Sequence, residues 1–115
     1  RHYAPRAPLM IVEGSREAVT GLINERVRLA CCRGKQVGII AAQETAGSYT
    51  QGIVKSVGSR SDEITIAMHL YAVLREFDEL EVSEIYSEAF NTPQMGQAIM
   101  NRLIKAAGGN VVSLL

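Results

Sequence analysis

The sequence is poor in several features that mark particular classes of protein. Its 115 residues include no Trp and two each of His and Cys, and 12 Lys plus Arg balance 12 Asp plus Glu. With a formal net charge of zero, the chain has no overall basic field, so we do not expect direct contact with nucleic acid. Its longest uncharged apolar runs, such as residues 37–42, are shorter than the roughly 20 residues of a membrane-spanning helix. We therefore expect a domain that does not contact membranes.

The scarce thiols and imidazoles do not form a pattern typical of a redox or metal site. Cys31 and Cys32 are neighbours, and a disulfide between adjacent residues lies outside ordinary bridge geometry. We predict reduced thiols and a cytoplasmic location. The C-x-x-C spacing is missing, and His2 and His69 stand far apart, so we predict no metal site.

The apolar pattern predicts one α/β domain, since 115 residues suffice for a single core. Continuous apolar runs predict strands, and helical spacing with Ser, Asp and Gly boundaries predicts helices between them. The predicted strands are residues 9–12, 37–42, 53–57 and 84–90, and the predicted helices are 15–34, 59–79 and 96–108. This alternation predicts a small Rossmann-like three-layer domain, with a mostly parallel sheet and helices on both faces.

Two features of that sheet stay open at this stage. The connection over residues 43–50 is short for a parallel crossover, so an antiparallel third strand is the alternative. Residues 111–112 are either a last strand or a tail.

Neither glycine-rich phosphate-binding motif is present, and no set of residues has the spacing of a catalytic site. The first predicted strand is followed by one glycine between carboxylates, Glu13 and Glu17, which disfavours a dinucleotide site there. His69 has no nucleophile close in sequence. We predict a solvated acidic rim rather than an acid and base pair for five carboxylates: Asp78, Glu79, Glu81, Glu84 and Glu88.

Two short segments are candidate contact sites. Ser59, Arg60 and Ser61 follow a predicted strand and form the entry to a predicted helix, where hydroxyls and a guanidinium can bind an anion. Ordinary helix capping is the favoured alternative. Asn101 and Arg102 lie between apolar residues of the last helix. They are candidates for docking a partner domain, with a partly buried pair that bonds the sheet edge as the favoured alternative.

Three segments resemble one family. R-H-Y-A-P-R-A-P at 1–8, L-Y-A-V-L-R-E-F-D at 70–78 and G-Q-A-I-M-N-R-L-I-K-A-A at 96–107 are similar to three family motifs. These are the K-Y-x-H-Y-A-P-x-x-P linker, the L-Y-x-x-L-R-x-x-D helix and the G-x-A-I-x-N-R-L-x-K-A-A signature of two-domain L-threonylcarbamoyladenylate synthases. The resemblance covers residues 1 to about 108, in the right order, and corresponds to the C-terminal domain.

The resemblance implies a larger N-terminal YrdC-like domain that is not in this sequence. That domain would bind ATP, L-threonine and bicarbonate with magnesium, and as a nucleotidyltransferase make threonylcarbamoyl-AMP for tRNA modification. Residues 1–8 would be the remnant of a linker over the substrate cleft, with Arg1, His2 and Tyr3 as lid residues, and residues 9–115 the accessory domain that positions it.

From this we expect a domain without a cofactor of its own, inactive alone, with no direct contact to tRNA. Its partner would be the N-terminal domain of the same chain. We also expect residues 1–7 to pack loosely without that partner. The alternatives are an independent nucleotide-binding domain and a dimerisation domain.

Overall fold

The computed structural model describes residues 4–115. They form alternating strands and helices: β1 (Leu9–Glu13), α1 (Arg16–Cys32), β2 (Val37–Ala41), a 3-10 turn (Ala46–Ser48), β3 (Ile53–Ser56), α2 (Glu63–Glu79), β4 (Glu84–Glu88), α3 (Gly96–Ala106) and β5 (Val111–Ser113). None of these helices is both long enough and apolar enough to cross a membrane.

The sheet is parallel throughout, in the order β3-β2-β4-β1-β5. The predicted strands 9–12, 37–42 and 84–90 correspond to β1, β2 and β4, which are parallel and consecutive in the sheet, and β4 ends at Glu88. β3 is also parallel, because a short connection with a 3-10 turn makes the crossover from β2 for which a longer helix is usual. Residues 111–113 form a strand rather than a tail. β4 lies between β1 and β2, so the order differs from the 3-2-1-4-5-6 of dinucleotide-binding sheets.

Helices cover both faces, as predicted. One core lies between α1 and the sheet, and the other lies between the sheet and the pair α2 and α3. All five residues of β2 are buried, as expected for a central strand covered on both faces. α2 approaches this strand closely: a Cβ built on Gly38 would lie 2.6 Å from the Phe77 ring.

The first described residues pack against the domain. Pro5 is buried, and Ala7 packs on the α2 side of the sheet. The Arg6 backbone N–H donates to Asp78 Oδ1 (3.0 Å), and its guanidinium donates to the Asp78 carbonyl (2.9 Å). The expectation of loose packing is therefore wrong for residues 5–7, because Asp78 at the end of α2 supplies both acceptors. Arg1, His2 and Tyr3 lie outside the described residues.

Candidate functional site

A crevice of about 250 Å³ opens at the carboxyl ends of β1 and β4. β1 leads into α1 on one face of the sheet, whereas the neighbouring β4 leads into α3 on the other face. Open α/β sheets bind ligands at such a switch point. Polar groups line the crevice: Glu13, Arg16, Thr45, Arg60, Glu88 and Asn91.

Glu88 lies at the base of this crevice with 2% of its surface exposed. Its Oε1 accepts from the Ala42 backbone N–H (2.9 Å) and from the Arg60 guanidinium (3.0 Å). Its Oε2 accepts from the Thr45 hydroxyl (2.6 Å) and the Tyr49 hydroxyl (2.5 Å). Four donors thus neutralise and hold one buried carboxylate, as burial of a charge requires. The network ties the segment after β2 to the segment after β3.

The prediction of a solvated acidic rim is therefore wrong for Glu88. Side chains alternate along a strand, so Glu88 shares the face of Tyr86, which packs in the α1 core. Asp78 and Glu84 are half-buried, and only Glu79 and Glu81 are exposed. Glu84 pairs with Lys35 at 3.3 Å. The alternation from Tyr86 to Glu88 was a usable signal, whereas the donors were not visible in the sequence.

Arg60 is held in place by three groups. Besides Glu88, its guanidinium donates to the Ala89 carbonyl (2.8 Å), and its Cζ lies 4.9 Å from the centre of the Phe90 ring. Charge-assisted hydrogen bonds and a cation–π contact both favour a fixed guanidinium. The sequence pointed to Arg60, but as an anion ligand rather than as the partner of a buried carboxylate.

The predicted anion site contains a carboxylate of this chain. Ser59 Oγ donates to Glu44 Oε2 (2.6 Å), and the Arg60 backbone N–H donates to both Glu44 oxygens. Ser61 Oγ lies 2.8 Å from Ser59 Oγ. The Ser59 hydroxyl, and then the Arg60 amide, lower the pKa of Glu44. These donors are suited to bind an anion, but an external anion would have to displace the Glu44 carboxylate. Anion binding by Ser59, Arg60 and Ser61 therefore stays a prediction.

Two tyrosines beside carboxylates keep their protons. Burial, and then the hydrogen bond to Glu88, raise the pKa of Tyr49. Burial and the carboxylate of Glu84 raise the pKa of Tyr86 to about 12. Both phenols are therefore hydrogen-bond donors at neutral pH.

Asn101 and Arg102 lie on the outer surface of α3, where both are exposed. The Arg102 Cζ lies 5.9 Å from the centre of the Tyr71 ring on α2. The interpretation of a partly buried pair at the sheet edge is therefore wrong, because the helix turns these residues away from the sheet. Their role in docking a partner stays a prediction.

The remaining sequence candidates are apart from the crevice. Cys31 is half-buried and Cys32 exposed, both as free thiols, and His69 is exposed on α2. Within residues 4–115, no three His, Cys, Asp or Glu side chains group as metal ligands.

The fold and the crevice define a three-layer α/β domain with a wholly parallel sheet. The family model described as the C-terminal domain of threonylcarbamoyl-AMP synthase (Sua5_C) matches residues 1–108. The chain therefore belongs to this family of C-terminal domains.

Curated relatives and solved structures agree with that membership. Threonylcarbamoyl-AMP synthase of Bacillus subtilis is 48% identical over 111 residues, which are 96% of this chain and 31% of that protein. The Pyrococcus abyssi protein of the same name is 37% identical over 99% of this chain and 32% of its own length. The chain thus spans about a third of the curated relatives that it matches.

The structural matches extend over the whole domain. The crystal structure of P. abyssi Sua5 complexed with L-threonine matches with a TM-score of 0.86 and 36% identity, over 100% of this chain and 32% of that one. A P. abyssi Sua5 variant, in which an adjacent His and Tyr are both replaced by alanine, matches at 0.83 with 34% identity, over 96% and 30%. The C-terminal Sua5 domain from Pyrococcus horikoshii matches at 0.73 with 34% identity, over 96% and 99%.

Proposed function

We propose that this chain is the accessory domain of a threonylcarbamoyl-AMP synthase and positions a lid over the substrate cleft of the N-terminal domain. By the family resemblance, that domain binds ATP, L-threonine and bicarbonate with magnesium and makes threonylcarbamoyl-AMP for tRNA modification. The two curated relatives carry this enzyme's name, and the chain corresponds to about a third of their length.

The anchored start of the domain is the observation that carries this proposal. Arg6 is held at Asp78 through its backbone N–H and its guanidinium, and Pro5 is buried. A lid acts by ordering substrates and excluding water, so it needs a fixed point from which to move. Only Ala4 separates this anchor from Tyr3.

In this proposal Arg1, His2 and Tyr3 act on the substrate cleft, and residues 9–115 contribute rigidity instead of chemistry. The sequence has one adjacent His-Tyr pair, His2 and Tyr3, and we take it as the counterpart of the pair replaced in the P. abyssi variant. An aromatic ring brings a large contact area at low conformational cost.

The first test changes the lid in the full-length synthase. We expect Tyr3→Ala to lower the rate of pyrophosphate release while thermal unfolding stays unchanged, since in this proposal the residue acts on the substrate cleft and not on the core of this domain. Tyr3→Phe retains most activity if ring packing closes the cleft, and behaves like Tyr3→Ala if the hydroxyl binds a substrate.

The control is His69→Ala, compared with His2→Ala. His69 is an exposed histidine on α2, so its replacement should leave turnover unchanged, whereas His2→Ala should lower it. Full turnover by Tyr3→Ala would contradict the lid, and ATP-dependent pyrophosphate release by the 115-residue chain would contradict the assignment of chemistry to the other domain.

A second candidate function is nucleotide binding in the crevice between β1 and β4. The observation in its favour is the 250 Å³ space at the switch point, with Arg16 and Asn91 on its lining. Calorimetric titration of ATP into this domain tests it. Saturable heat that Arg16→Ala abolishes would support it, and an absence of heat at millimolar ATP would rule it out.

A further inference from the structure

The outer face of α2 carries apolar side chains in water. Ile64 is 63% exposed and Met68 70% exposed, far above the other large apolar side chains of the described helices. The opposite face of α2 already fills the core through its buried residues: Ile66, Leu70, Val73, Leu74 and Phe77. A helix that packs on one side only normally presents polar residues on the other. Exposed apolar residues that cluster in this way mark an interaction surface.

These side chains lie in one line along the helix. Ile64, Met68, Tyr71 and Arg75 follow each other at steps of four, three and four residues, which places them on one face of α2. We call these four residues the α2 stripe. Arg102 of α3 lies over the Tyr71 ring, and both Arg75 and Arg102 are exposed. The surface is therefore apolar toward the start of α2, and toward its end it carries the guanidinium groups of Arg75 and Arg102 beside the carboxylates of Asp78 and Glu79.

The position of the preceding chain identifies what covers this surface. Asp78, which anchors Arg6, follows the last residue of the α2 stripe by three positions. Ile64 and Asp78 are roughly 20 Å apart along the helix at 1.5 Å per residue. A folded domain tethered at Arg6 is thus held beside the stripe at high effective concentration. The relatives contain such a preceding part, since this chain matches 31% of the B. subtilis protein and the family model that matches it is described as the C-terminal domain.

We propose that the α2 stripe is the surface on which the N-terminal domain of the same chain docks. The partner surface would have an apolar centre that covers Ile64 and Met68 and an acidic rim facing Arg75 and Arg102. This inference rests on the proposed function, and it adds that docking through the α2 stripe sets the orientation of the lid.

The test compares two glutamate substitutions in the full-length synthase. Met68→Glu puts a charge into the stripe, and Leu29→Glu is the matched control, because Leu29 is 41% exposed on α1, which covers the opposite face of the sheet. Small-angle scattering and hydrogen exchange of residues 63–79 are the readouts. We expect Met68→Glu to enlarge the radius of gyration and to raise exchange in α2 at least tenfold, while Leu29→Glu and the conservative Met68→Leu match the wild type.

Equal scattering and exchange for Met68→Glu and the wild type would overturn the proposal. The proposal would also be overturned if the wild-type protein dimerises as its concentration rises while Met68→Glu stays monomeric. The partner on the α2 stripe would then be a second copy of the chain.

Pyrophosphate release separates this inference from the proposed function. If Met68→Glu opens the structure and keeps full turnover, the docking face is supported and lid positioning by this domain fails. If Tyr3→Ala lowers turnover while Met68→Glu changes neither shape nor exchange, the lid is supported and the docking face fails.

Discussion

The carboxyl end of the sheet and the outer face of α2 differ in whether their side chains have partners within this domain. At the sheet, Glu88 accepts four hydrogen bonds from groups in two segments of the chain, the one after β2 and the one after β3. Within residues 4–115, no buried side-chain nitrogen or oxygen lacks a partner. On α2, by contrast, Ile64 and Met68 contact mainly water. The first region is complete within this domain, and the second gains stability only when another surface covers it.

The energetic consequence differs accordingly. Breaking a buried, fully paired charge exposes the whole cost of its desolvation. An exposed apolar side chain contributes almost nothing until it is covered, after which full burial stabilises by about 1.5–3 kcal/mol per residue. Substitutions at the sheet should therefore change the stability of this domain, and substitutions at the α2 stripe should change its association.

Glu88→Ala should have the largest effect on stability. It removes the only anion in the described part of the chain that pairs with the half-buried Arg60 guanidinium, which keeps the Ala89 carbonyl as an acceptor, and it removes the acceptor of the Tyr49 hydroxyl. We expect a loss of about 3–5 kcal/mol in the free energy of unfolding. Urea denaturation followed by circular dichroism measures it. Glu79→Ala on the exposed side of α2 is the control and should stay within about 0.5 kcal/mol. A loss below 1 kcal/mol at Glu88 would show that the network does not hold the loops.

Gly38→Ala should have the next largest effect on stability, because the added methyl group would push α2 away from the sheet. The added Cβ would lie 2.6 Å from the Phe77 ring, which is fully buried and cannot move aside. Overpacking of this kind costs about 1–3 kcal/mol, measurable by the same denaturation.

Gly21→Ala is the matched control for that substitution. A Cβ at Gly21 in α1 meets nothing within 4 Å, so alanine should stabilise the helix by about 0.5–1 kcal/mol. Equal effects at the two glycines would contradict the close contact between α2 and β2.

The fold was predictable because its signals are local. The apolar runs at 9–12 and 37–42 and the helical spacing of Ile66, Leu70 and Val73 are patterns of neighbouring residues. The direction of β3 was not predictable, because a 3-10 turn over Ala46–Ser48 is too short to leave a periodic signal.

The candidate site was harder to predict because its contacts are distant along the chain. Glu88 is 43, 39 and 28 residues from Thr45, Tyr49 and Arg60, and a carboxylate without visible partners is expected on the surface. The anchor of Arg6 at Asp78 spans 72 residues. By contrast, Ser59 and Arg60 were singled out from the sequence as donors for an anion; the carboxylate that accepts from them in the structure, Glu44, was not visible in the sequence.

The smallest effect is expected from Glu44→Gln, at the exposed edge of the site, and it depends on pH. The Ser59 hydroxyl and the Arg60 amide lower the pKa of Glu44 in the folded protein, so the unfolded chain binds more protons in acid. The carboxylate's contribution is thus present above the ordinary pKa of glutamate, about 4.3, and is lost as the pH falls through the lowered folded value. The difference in unfolding free energy between wild type and Glu44→Gln, at most about 0.5 kcal/mol for so exposed a group, should shrink between pH 7 and pH 3. Ser59→Ala should reduce this pH dependence, and a difference that grows in acid would contradict the assigned contacts.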